Sequence, residues 1–154
     1  ITSRIVKQLK KTKFDFSAFV VLGKFYSNSK KIHHILQNDK RFILVDNTKN
    51  LHEIIIKCQF GIISFGITVY EAVALNIPTL VISHSFENHF SAKRIEKYSW
   101  YEYLGKYDNI NYSKVIDKII SNLTQKKRLK IKKPNLIDSK GPNRICKKIL
   151  ELEM

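Results

Sequence analysis

A doubly wound α/β fold, with a parallel sheet covered by helices on both faces, is the class this sequence predicts. Three observations carry that expectation. Apolar runs such as Ala18-Phe19-Val20-Val21-Leu22 and Thr79-Leu80-Val81-Ile82-Ser83 are nearly continuous rather than alternating, as strands buried on both faces require. Segments with apolar residues at helical spacing separate those runs, so successive strands join through right-handed crossovers and lie parallel. Finally, 154 residues with 44% hydrophobic content can bury the core of one domain, and no linker is long enough to divide two.

Each element follows from its residues. Ile1, Ile5, Val6 and Leu9 share one helical face, so the sequence opens inside a helix. The strand from Ala18 ends at Gly23, and Ile32, Ile35 and Leu36 mark a helix over 30–37. Phe42-Ile43-Leu44-Val45 is the next strand, closed by the turn-prone Asp46-Asn47. A helix over 50–58 leads into the strand Gly61-Ile62-Ile63-Ser64, and a glycine turn then starts a helix that exits at Asn76 before Ile77-Pro78. Phe90, Ala92, Ile95 and Tyr98 support a helix over 88–99, and Tyr103-Leu104 reads as a short edge strand. Ser113 is expected to cap a long amphipathic helix with Val115, Ile116, Ile119, Ile120 and Leu123 on its inner side, with Thr124 opening a further turn. Gly141-Pro142 begins a last helix bearing Ile145, Ile149 and Leu150. A helix at the front implies that a preceding strand is missing, one that lies near the centre of such a sheet. The expectation is therefore the second half of a larger enzyme.

Charge and cysteine content narrow the setting. The formal net charge of +15 favours polyanionic partners, nucleic acid or an acidic membrane. Yet the lysines are spread over nearly every helix, and the densest cluster, Lys126-Lys127-Arg128 with Lys130, Lys132 and Lys133, carries no aromatic for base stacking. A solvated helix face is the plain reading, peripheral contact with an acidic membrane the alternative, and nucleic acid the weakest. No apolar run approaches the length that crosses a bilayer, and the amino end lacks a secretory pattern. Cys58 and Cys146 are too few for a disulfide framework and wrongly spaced for zinc. A reducing, cytoplasmic setting is expected.

Chemistry concentrates in Ser64-Phe65-Gly66-Ile67-Thr68, where a helix begins at the carboxyl end of a strand. Free amide N–H groups and the positive end of the helix dipole favour an anion there, typically a phosphate. Glu71 follows one helical turn after Thr68, within reach of a group bound beside that phosphate. The rival reading is a capping box, Thr68-Val69-Tyr70-Glu71, in which Glu71 folds back onto the Thr68 N–H. His84-Ser85-Phe86-Glu87-Asn88-His89 follows another strand end, where acid–base groups collect, although a polar surface loop explains His84 and Glu87 as well. His89 either touches a ligand or steadies a helix start. His33, His34 and His52 read as surface. No Ser-His-Asp triad and no pair of carboxylates suited to glycoside hydrolysis can be identified.

In order along the chain, Thr2-Ser3-Arg4-Ile5-Val6, Val20-Val21-Leu22-Gly23, Ile62 through Ala72 and the closing Asp138-Ser139-Lys140-Gly141-Pro142-Asn143-Arg144-Ile145 resemble the carboxyl-terminal half of GT-B-type nucleotide-sugar enzymes. The similarity is greatest to the family of the spore-coat polysaccharide protein SpsG and the pseudaminic-acid-pathway UDP-sugar hydrolase PseG. It extends more distantly to MurG-like glycosyltransferases. The resemblance implies a Rossmann-like domain that binds the nucleotide of a UDP-sugar. On that basis Ser64, Phe65, Gly66, Ile67 and Thr68 would hold the diphosphate, and Glu71 the ribose hydroxyls. Backbone groups at Val45 and Asp46 would face the base, and Gly23 would let the chain pass close to the ligand. Asn88 falls where relatives carry a residue touching sugar or phosphate, with His89 beside it. Phe65 replaces a second glycine common in such turns, and its bulk is expected to narrow the site. Cleavage of the sugar–phosphate bond by a hydrolase of polysaccharide or nonulosonic acid synthesis is the leading expectation. Glycosyl transfer from a UDP-sugar, or a non-enzymatic basic module, are the alternatives. An amino-terminal domain across a cleft is the implied partner. No cofactor or metal is called for, since a helix start and lysines neutralise phosphate.

Overall fold

The computed structural model describes residues 1–124, 137–138 and 140–152. Helix α1 (Thr2–Lys10) precedes strand β1 (Ala18–Leu22), and α2 (Ser29–Leu36) precedes β2 (Phe42–Asp46). Then come α3 (Leu51–Ile55), β3 (Gly61–Ser64), α4 (Ile67–Ala74), β4 (Thr79–Ser83), α5 (Phe86–Glu96) and β5 (Glu102–Lys106). Helices α6 (Tyr112–Leu123) and α7 (Gly141–Leu150) complete the described elements. The alternation and all the expected strands are present.

Every strand pairing is parallel, but the strands form two sheets, β1-β2 and β3-β4-β5, rather than the single sheet expected. Apolar continuity shows that a strand is buried; it does not name the strand it pairs with. Helices cover both faces. Ile5, Val6 and Leu9 of α1, Ile32 and Leu36 of α2, and Val115, Ile116 and Ile119 of α6 pack in one core with Val20 and Leu22 of β1 and Leu80 and Ile82 of β4. Val69 and Val73 of α4 and Ala92 of α5 pack on the other side around Val81. All five residues of β4 are buried, as a strand with neighbours on both edges and helices on both faces must be.

Helix α1 fixes the relative direction of the sheets. At its start the Arg4 guanidinium donates to the Tyr107 carbonyl just past β5, at 3.4 Å. At its end the Lys10 carbonyl accepts from Arg41, at the start of β2, at 3.2 Å. The helix therefore runs from the carboxyl edge of one sheet to the amino edge of the other, and both sheets point the same way.

Several local expectations are corrected. Asn111, not Ser113, caps α6, its side-chain oxygen accepting from the Ser113 and Lys114 N–H groups. Helix α5 begins at Phe86, two residues before the expected start, because Ser85 accepts the Asn88 N–H. Thr124 is the C-cap of α6, and the further turn expected after it lies outside the described residues. Asn76 does take the left-handed conformation (φ 59°) that ends α4, and the Ile77 N–H returns to the Ala72 carbonyl. Tyr103 does lie on an edge strand. The basic cluster at 126–133 and Ser139 lie outside the described residues. Among the described residues, no helix is long and apolar enough to cross a membrane.

Candidate functional site

Parallel strands end together, and the helices that follow them start on the same rim, so unsatisfied amide groups collect there. The turn after β3 is the clearest case. The Phe65 N–H continues the ladder to the Ile82 carbonyl at 3.0 Å, and its ring turns away from the rim. That ring is only 7% exposed, packs beside Val69, Val73 and Ala92, and meets Tyr101 edge-on at 6.1 Å. The expected narrowing by Phe65 therefore does not occur. Its bulk belongs to the core.

Gly66 is the N-cap of α4, in an extended conformation that any residue adopts (φ 168°). A Cβ here would meet only the Ser64 carbonyl, at 4.0 Å. What glycine supplies is bare backbone. The Val69 N–H returns to the Gly66 carbonyl, whereas the N–H groups of Gly66, Ile67 and Thr68 find no acceptor among the described residues. This cap position also overturns the capping-box alternative. Thr68 lies inside the first turn and caps nothing, and the exposed Glu71 carboxylate has no partner among the described residues.

Three polar side chains border the turn. Ser64 Oγ lies 2.8 Å from His84 Nδ1, and Asn88 Nδ2 lies 3.2 Å from the same ring. Asn88 Nδ2 also donates to the Phe65 carbonyl at 3.2 Å, tying the turn to α5. The Glu87 carboxyl beside them is held below its ordinary range by its own backbone N–H and then by the Ser85 hydroxyl. His89 belongs to a neighbouring network. Its Nδ1 lies 2.7 Å from the Tyr103 hydroxyl, which lies 2.6 Å from the fully buried Ser83 Oγ. Burial raises the Tyr103 phenol above its ordinary value. The His89 ring stacks on the exposed Phe86 at 6.5 Å.

The remaining predicted residues stand on the other sheet. Gly23 follows β1, and a Cβ there would meet nothing within 4 Å. Val45 is half-buried on β2, and the Asp46 carboxylate at that strand's end is held by His33 Nε2 at 2.7 Å. No hydrogen bond among the described residues links these three to the 64–71 turn; they share only its rim. The structure thus gathers Ser64, Gly66, Ile67, Thr68 and Asn88, with Glu71 one helical turn along α4. It leaves Gly23, Val45 and Asp46 apart.

The sequence leaves His84 open between an acid–base role and a surface loop, and it marks Tyr103 only as part of a strand. Ser64 and His84 stand at the ends of consecutive strands, and that placement is the signal that joins them. Nothing local marks Tyr103, because its partners come from β4 and α5. Chemically, the turn offers three N–H donors to an anion, with the exposed Glu71 carboxylate nearby to accept from hydroxyl donors. Comparisons with protein-family models, curated proteins and solved structures find no match to this chain.

Proposed function

We propose that this chain is a nucleotide-sugar-binding domain of a GT-B-like enzyme that cleaves the bond between sugar and nucleotide phosphate. The observation that carries this reading is the pairing of three amides at Gly66, Ile67 and Thr68 with the Glu71 carboxylate on the same helix, none of which has a partner among the described residues. A diphosphate takes the amides and the helix dipole, and a ribose places its hydroxyls against the carboxylate. Donors already in place at the departing diphosphate stabilise the charge that develops as the glycosidic bond breaks. Asn88 and His89, on the first turn of α5, face the sugar side of this arrangement. The two sheets are then the wings of one doubly wound, Rossmann-like sheet, with Gly23, Val45 and Asp46 on the base side of its rim.

Water or an acceptor is delivered by a second domain across the cleft, and that domain selects between hydrolysis and transfer. Hydrolysis of the SpsG and PseG kind is the favoured reaction, on the match of the turn and of the closing segment. The net charge of +15 supports a different reading, a basic module for nucleic acid or an acidic membrane. Calorimetry with UDP, UMP and a random oligonucleotide, at low and high salt, separates the two. UDP binding is expected to persist in salt and to weaken clearly in Glu71→Ala, while oligonucleotide binding falls steeply with salt and ignores the substitution. An unchanged UDP affinity in Glu71→Ala would remove the ribose role and the reading with it.

A further inference from the structure

We propose that Tyr103 is a positioning residue that fixes His89 as an N–H donor to the sugar of the bound nucleotide sugar. The inference rests on the nucleotide-sugar reading, which gives His89 the sugar side but no chemical role. Three elements bring the groups together: Ser83 ends β4, Tyr103 lies on β5 and His89 stands on α5. Ser83 Oγ lies 2.6 Å from the Tyr103 hydroxyl, and that hydroxyl lies 2.7 Å from His89 Nδ1.

Distances alone leave the direction of both bonds open, but the protons decide it. Ser83 is fully buried, and its Oγ has no other hydrogen-bond partner among the described residues. A buried hydroxyl proton without an acceptor is costly, so the Ser83 proton goes to the Tyr103 oxygen. The Tyr103 proton then has one acceptor left, His89 Nδ1. In the opposite order Nδ1 would donate to Tyr103 and Tyr103 to Ser83, which strands the Ser83 proton in the core. Only the first order gives each hydroxyl proton an acceptor. Burial also holds the Tyr103 phenol above its ordinary value, which keeps it a donor.

The consequence falls on the other ring nitrogen. A neutral imidazole that accepts at Nδ1 carries its proton at Nε2. The two nitrogens point to opposite sides of the ring, so Nε2 aims away from Tyr103. It has no hydrogen-bond partner among the described residues. His89 thus offers a ligand a proton donor and no lone pair. Its neighbours suit a sugar. The ring stacks on Phe86 at 6.5 Å and meets Phe90 edge-on at 5.7 Å, and both phenylalanines are exposed, at 61% and 58%. Aromatic faces beside one fixed polar group match the C–H faces and oxygens of a pyranose. A neutral donor between apolar rings serves a hydroxyl or carbonyl oxygen better than a phosphate.

The test begins without nucleotide, on the whole chain carrying isotope-labelled histidine, read by nitrogen NMR in mildly alkaline buffer. His89 is expected to show a bare, hydrogen-bonded Nδ1 and a protonated Nε2, unlike the exchanging rings of the exposed His34 and His52. Tyr103→Phe should return His89 to the spectrum of those two. Ser83→Ala disturbs the same network but spares the Tyr103–His89 bond, and should not. A proton on Nδ1 would overturn the proposal. So would a His89 spectrum that ignores Tyr103→Phe, or one that changes equally in Ser83→Ala. Calorimetry then tests the sugar role, with UDP and UDP-N-acetylglucosamine as probes. The native chain should bind the sugar nucleotide more tightly than UDP. His89→Phe should cut that preference about fivefold, the worth of one hydrogen bond, and Tyr103→Phe should lose part of it. His89→Gln, whose side-chain amide places an N–H near the Nε2 position, should keep it. UDP affinity itself should stay the same throughout. Absence of the preference in the native chain, or its persistence in His89→Phe, with UDP still bound, would overturn this role alone. Failure of every form to bind UDP would overturn the nucleotide reading, and the sugar role with it.

Discussion

At the amino edge of the sheets the Arg41 side chain is saturated; at the carboxyl edge the turn after β3 is not. Arg41 grips both Asp39 carboxylate oxygens, at 2.9 and 2.8 Å, and donates to the carbonyls of Lys10, Thr12 and Phe14. Its guanidinium lies 4.8 Å from the Phe16 ring centroid. Such a group has no capacity left for a ligand, so its work is to staple the end of α1 and the following loop to β2. The Gly66 turn keeps three amides and a carboxylate without partners among the described residues. Charge alone therefore does not mark a candidate site in this basic protein. Unsatisfied polar groups do.

Four substitutions break or sharpen that contrast. The largest effect is expected from Phe65→Ala, which empties a buried aromatic site at the foot of the turn. It should cost about 3–5 kcal/mol in urea denaturation. A loss below about 1 kcal/mol would place the ring in the turn rather than the core.

Arg41→Ala comes next and should lower the thermal midpoint while leaving UDP binding unchanged. It carries a pH signature. The Arg41 hydrogen bonds hold the Asp39 carboxyl below its ordinary value. That contribution is present above the ordinary carboxylate pKa and is lost as pH falls through the lowered folded value, below about pH 4. The variant should therefore lose less stability on acidification than the native chain, and equal acid sensitivity would deny the staple.

Tyr103→Phe leaves the buried Ser83 hydroxyl and His89 Nδ1 without their partner, at a cost of about 1–3 kcal/mol. Adding Ser83→Ala should recover part of that loss, as a double-mutant cycle by chemical denaturation can measure. Simple addition of the two costs would mean that the network is not coupled. The smallest effect on stability belongs to Glu71→Gln, within about 0.5 kcal/mol of the native chain because the exposed carboxylate has no partner among the described residues. UDP affinity should still fall roughly tenfold, the loss of a charge-assisted hydrogen-bonding pair. Destabilisation beyond about 1 kcal/mol would return Glu71 to a structural role.

The sequence by itself determined the elements and their punctuation. Strands at Ala18 and Gly61, the left-handed Asn76 and the helix start at Gly66 all follow from local sterics, turn chemistry and the spacing of apolar residues. Those forces act within a few residues, so they leave their mark on a short stretch of chain. Tertiary structure alone decided that Phe65 faces inward, that Glu71 is unpaired among the described residues, and that Ser64 meets His84 twenty residues on. It alone decided that the strands pair as two sheets, β1-β2 and β3-β4-β5. Each of these depends on which distant segment comes to lie alongside, and apolar runs of similar length and composition do not encode that choice locally.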